Sequence, residues 1–172
     1  MVIAIVRTCW QICLLRQGPQ VFPRSWTLFG ILLVVYMGVD VILFIAQGLR
    51  GFVLLPELLL DTALLLVFFA LVLAIWVKLE RYNQTLSALL GTGTIIMLVA
   101  VPLTLLATLL PASTGTQVVG VLLWVVLAWN VLVTGHILRH ALNTWLTLGI
   151  IIAGTYVVLN LVMFSVLFPM RT

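Results

Sequence analysis

Five long apolar stretches fill almost the whole chain, and each exceeds the roughly 20 residues that a helix rising about 1.5 Å per residue needs to cross the hydrocarbon of a bilayer. A chain built this way has few folds open to it. Backbone amides cannot be left unpaired in lipid, so each stretch must close its own hydrogen bonds as a helix. The expected fold is therefore an all-α, polytopic transmembrane helical bundle. With 65% hydrophobic and only 7% charged residues, the sequence leaves no polar segment long enough for a separate soluble domain.

Local signals set the expected boundaries. Residues 1–18 read as an N-terminal interfacial amphipathic helix, with Arg7, Thr8 and Gln11 on a polar edge and Ile5, Cys9, Ile12, Cys13 and Leu15 around the rest. Gly18, Pro19 and Pro23 then break the chain, because proline cannot continue a helical ladder and restricts the residue before it. The bundle, residues 19–172, is expected to hold spans near 26–48, 56–76, 85–110, 118–138 and 144–168. Gly51 and Pro56 bracket the first loop, 111–116 form a turn, Pro169 ends the last span, and Pro102 is expected to kink the third. The stretch 1–18 has no small-residue cleavage site and reads as a retained helix.

The net charge of +4 would suggest nucleic acid in a soluble protein, but here the cations flank apolar spans and orient them. Arg7, Arg16, Arg24, Lys78, Arg81 and Arg139 fall on one side, Arg50 and Arg171 on the other. Cations concentrate on the cytosolic side of membrane proteins, which predicts a cytosolic N-terminus and an external C-terminus. Trp26, Trp76 and Trp145 fall at the same span ends, as an aromatic belt requires. Cys9 and Cys13, one helical turn apart on the cytosolic side, are expected to stay reduced.

Ionisable and polar residues inside spans are the candidates for function, since an ionised side chain at a helix centre costs about 2.5–3.5 kcal/mol on insertion scales. Asp40 lies within span one, and Tyr36, Asp40 and Gln47 share a face expected to point into the bundle. Such a stripe serves either as a proton or cation site or as buried packing. Asp61 lies one turn deeper than Glu57 at the outer start of span two; these carboxylates either form an acidic mouth with Asp40 or pair with Arg50 and the helix dipole. Asn130 and Asn160, mid-span in spans four and five, suit hydrogen bonds between helices.

At the cytosolic end of span four, His136, Arg139 and His140 form a second candidate group. The histidine spacing suits a metal, but no HExxH motif or third ligand accompanies it, so no metal or other cofactor is expected. No serine sits in a nucleophile motif, and the Gly91-Thr92-Gly93-Thr94 run lacks the Lys-Ser/Thr of a phosphate loop. Gly149 and Ala153 form a small-residue face on span five.

The segment KLERYNQTLSALLG at 78–91, Val101-Pro102 within span three, and Trp124 through Leu142 resemble bacterial members of the Yip1 family, in which a polar link leads into a glycine-containing third helix. The chain lacks the DLYGP-type and GYxxVP-type motifs and the long N-terminal region of eukaryotic members, so their role in vesicle traffic is not carried over. The resemblance implies a non-enzymatic protein of a bacterial inner membrane that acts in membrane organisation or assembly. Its expected partners are membrane lipids and either other membrane proteins or further copies of itself, with no nucleic acid. The alternative is a small transporter or channel component using Asp40 and Asp61.

Overall fold

The computed structural model describes residues 2–49, 51–110 and 114–168. It is a helical bundle with no strand among the described residues: α1 (Val2–Cys13), α2 (Trp26–Ala46), α3 (Leu54–Ile75), α4 (Tyr82–Leu109), α5 (Thr114–Leu142) and α6 (Leu146–Leu167). The five helices α2 to α6 are each long and apolar enough to cross a membrane. Short 3-10 turns at Pro19–Val21, Gly51–Val53 and Leu79–Arg81 precede α2, α3 and α4.

Helix ends explain where the expected spans need adjusting. Span one stops at Ala46, because Gly48 at φ 89° turns the chain and the Leu49 amide returns to the Phe44 carbonyl. Spans two and three begin earlier than the sequence suggests, at Leu54 and Tyr82, with Pro56 accommodated in the first turn, where no amide donor is needed. Span four runs to Leu142, one turn beyond the expected end, and closes with Asn143 at φ 60° and the Thr144 amide bonded to the Arg139 carbonyl. Leu15 and Val77 make the same left-handed closure after α1 and α3, without the glycine that usually marks it. Span five is slightly shorter than expected at both ends. Pro102 lies within α4, which continues through it. The turn expected at 111–116 falls largely, and Arg50, Pro169 and Arg171 entirely, outside the described residues.

The two ends of the bundle differ. The starts of α2, α4 and α6 and the ends of α3 and α5 gather Arg24, Lys78, Arg81 and Arg139, and this is termed the basic end. With 28 and 29 residues, α4 and α5 are about 42–44 Å long, well beyond the roughly 30 Å of hydrocarbon. The surplus is packed by protein at the basic end. Every residue from Thr85 to Thr92 is buried, so no face of α4 is free there. Its neighbours are α1, α2, α5 and the Pro19–Val21 turn.

Helix α1 belongs to this core. Cys9, Ile12 and Cys13 are buried against α4, where a side chain on Gly91 would meet the Cys9 sulfur at 2.6 Å. The Trp129 indole donates to the Cys13 carbonyl at 2.9 Å, tying α1 to α5. The opposite face of α1 exposes Ile3, Val6, Trp10 and Leu14. The sequence places this helix at the headgroup boundary; the structure adds that one of its faces is buried in protein. In the other half of the bundle, α4 exposes Leu98, Val99, Leu105, Leu106 and Leu109, and the interior opens into a cavity.

Candidate functional site

All five long helices wall a cavity of about 650 Å³ that extends from Met97 and Asn130 in mid-bundle to Gln47 and Phe168 at the far ends of α2 and α6. It gathers the six intramembrane polar residues singled out in the sequence. Tyr36 and Asp40 project from α2 and Gln47 from its C-cap; Asp61 comes from α3, Asn130 from α5 and Asn160 from α6. The i, i+4 spacing of Tyr36 and Asp40 brings both to one face, which is the inward one.

Asp61 is the junction. The Tyr36 hydroxyl donates to its Oδ2 at 2.9 Å, and the Asn160 amide donates to its Oδ1 at 2.8 Å. Three helices distant in sequence thus meet on one carboxylate, each oxygen fixed by a neutral donor. Asn160 thus bonds another helix. Asn130 has a weaker, local partner in the Thr134 hydroxyl, 3.4 Å away on the same helix.

Tyr156 also lines the cavity and was not identified from sequence. Its ring packs at a tilt against Phe69 and Phe68 of α3, with centroids 5.1 Å and 5.4 Å away, and its hydroxyl interacts with Asn160. The signal was present, because Tyr156 precedes Asn160 by four residues and shares its helical face. Toward the far end, Phe44, Phe164 and Phe168 form an aromatic rim, with ring centroids 6.3 Å and 5.9 Å apart. Glu57 is buried at the start of α3 but does not line the cavity, so the acidic pair there is Asp40 and Asp61. The expected pairing with Arg50 falls outside the described residues.

The second candidate group is at the basic end. The His136 and His140 rings meet edge to face at 4.7 Å, and His136 Nε2 lies 3.1 Å from the Gln17 carbonyl. Here the histidines hold the chain leaving α1 against α5. Arg139 is exposed. Among the described residues, no three His, Cys, Asp or Glu side chains are grouped to hold a metal ion. Cys9 and Cys13 are free thiols. Burial pushes the Cys9 thiol up to about 11; burial and the neighbouring Cys9 push Cys13 up to about 12. Both are protonated at neutral pH.

The small-residue face on α6 is filled from within the chain. Gly149 packs directly on the Gly135 backbone of α5, and Ala153 is buried.

Comparison of the chain with protein-family models, with curated proteins and with solved structures finds no match. Its class rests on its own architecture. The protein is an integral membrane protein with five candidate spanning helices and a short N-terminal helix.

Proposed function

We propose that the protein is a non-enzymatic carrier, or the binding component of one, that takes a cation with an apolar body into the cavity. One observation carries this reading: Asp61 sits on the cavity wall with both oxygens held by neutral donors from two other spans. Neutral donors orient a carboxylate without neutralising it, and a carboxylate in a low-dielectric surround favours a cationic partner. Tyr36, Tyr156 and the Phe44/Phe164 rim supply ring faces of the kind that attract organic cations.

This reading stands ahead of membrane organisation or assembly, to which the Yip1-like pattern points. The surface that assembly would use, around Gly149 and Ala153, is occupied by α5. The gathering of Arg24, Lys78, Arg81 and Arg139 at one end supports an orientation with that end in the cytosol and the cavity directed outward. A bacterial inner membrane is the location that fits the family resemblance.

The test is binding of tetraphenylphosphonium to the full chain in detergent, measured by calorimetry for the wild type and Asp61→Asn. At about 5 Å and an effective dielectric constant of about 20, the lost charge is worth about 3 kcal/mol, on the order of a hundredfold in affinity. The amide keeps the side chain's shape, so the helical content should not change. Equal affinity in the two proteins, or no binding by a folded wild type, removes this reading.

A further inference from the structure

A second pocket, of about 260 Å³, lies at the basic end, remote from the acidic cavity. Its wall includes Gln20, Arg24, Arg81, Gln84, Thr85 and His140, and no carboxylate among the described residues lines it. Two of these side chains are held in place by neighbours. The Gln84 amide donates to the Phe22 carbonyl at 2.7 Å, which leaves its oxygen to accept from Arg24 Nε at 3.4 Å. Arg81 Nη1 donates to the His140 and Ala141 carbonyls at 3.2 Å and 3.1 Å, covering the electronegative end of α5. That leaves the other nitrogens of the guanidinium, of which Nε lies 4.0 Å from exposed Glu80.

Thr85 is the feature that packing does not explain. It is 0% exposed, lines the pocket, and its hydroxyl has no hydrogen-bond partner among the described residues. A buried hydroxyl left unpaired costs about 1–3 kcal/mol, and such groups are rare. Next door, Asn83 is also buried with neither amide atom partnered, in an adjoining pocket of about 450 Å³ that shares Arg24 and that Glu80 also lines. Two guanidinium groups, an unused hydroxyl and an absence of lining carboxylates make an anion site. The planar, many-donor guanidinium matches phosphate oxygens in particular.

We infer that the Arg24–Arg81–Thr85 pocket binds a phosphate group. Its place at the basic end of the spans, next to the pocket that Trp26 lines, is the level of lipid headgroups, and basic pockets between helices are known to hold them. The phosphate comes from a phospholipid headgroup or from a free phosphate compound, and the chemistry of the pocket is the same for both.

The experiment uses the delipidated full chain in detergent, with native mass spectrometry and thermal unfolding as readouts. The probes are phosphatidic acid, diacylglycerol with the same acyl chains, and inorganic phosphate. Phosphatidic acid should bind where diacylglycerol does not. Arg24→Gln and Thr85→Val should each weaken it by about tenfold, the value of a hydrogen bond to a charged group. Thr85→Val separates a site from a structural role, because removing an unpartnered hydroxyl should leave the ligand-free melting temperature equal or raised. Inorganic phosphate binding with the same dependence on the variants, and no tighter binding of phosphatidic acid, would assign the site to free phosphate compounds. Equal binding of diacylglycerol and phosphatidic acid, unchanged binding of both phosphate probes in both variants, or a lowered ligand-free melting temperature in Thr85→Val would overturn the inference.

Discussion

Replacing Gly149 by alanine tests the contact that holds α6, and with it Asn160 and Tyr156, against the rest of the bundle. A Cβ on Gly149 would collide with the Gly135 carbonyl oxygen and lie 3.0 Å from its carbon and 3.3 Å from the Arg139 nitrogen. All three are backbone atoms, so no side-chain rotation relieves the clash. Ordinary contacts of a carbon with another heavy atom lie at about 3.2–4.0 Å, and the oxygen is the tightest of the three, so the helices must part by about one ångström, which forfeits on the order of half of each dispersion well along the seam. Overpacking of this kind costs about 1–3 kcal/mol. Gly154, on the same helix, has no atom within 4 Å of the equivalent position. There the same substitution gains only the backbone entropy, about 0.5–1 kcal/mol. Unfolding of the two variants in mixed micelles should therefore move in opposite directions, Gly149→Ala below the wild type and Gly154→Ala above it. Because the seam positions Asn160, Gly149→Ala should also weaken tetraphenylphosphonium binding. A Gly149→Ala protein as stable as Gly154→Ala would refute the argument.

Tyr36→Phe and Asn160→Leu should each cost about 0.6–2 kcal/mol, and because both donors meet on Asp61 their double-mutant cycle should show coupling; costs that add within about 0.3 kcal/mol would mean that they do not share the carboxylate. Cys9 and Cys13, with thiols pushed up to about 11 and about 12 from an ordinary 9.0, should react with maleimide at pH 7.5 at least roughly a hundredfold more slowly in the folded protein than in denaturant. Because the folded thiols hold their protons more tightly, their contribution to stability is complete below pH 9 and is lost as the pH rises toward 11–12, so unfolding at pH 10 should be easier than at pH 8.

The architecture was written in the sequence because the bilayer imposes it one segment at a time. A run of more than 20 apolar residues has one low-energy solution in lipid, and the order of elements follows without knowledge of any partner. Polar residues inside those runs were legible for the same reason: Asp40 and Asp61 are conspicuous where charge is costly. Helix ends were less legible. Leu15 and Val77 take a left-handed conformation without glycine, held by the capping bonds Arg16 N–H to Gln11 C=O and Lys78 N–H to Leu73 C=O, and such bonds leave no compositional trace.

Only tertiary structure decided what those polar residues become together. Asn160 and Asp61 lie 99 positions apart, and nothing local to either specifies the rotation of α6 relative to α3 that joins them. That rotation is set by close contacts elsewhere, above all Gly149 on Gly135, where the backbones of α6 and α5 meet. The basic residues needed the fold in the same way. Arg24 and Arg81 read singly as topological markers, and only the packing of the Pro19–Val21 turn and the end of α5 against the start of α4 encloses them with Thr85. Sequence by itself determined which helices exist and that they belong in a membrane, because burial in lipid acts on each segment alone. The two polar pockets depend on distances between segments, which only packing fixes.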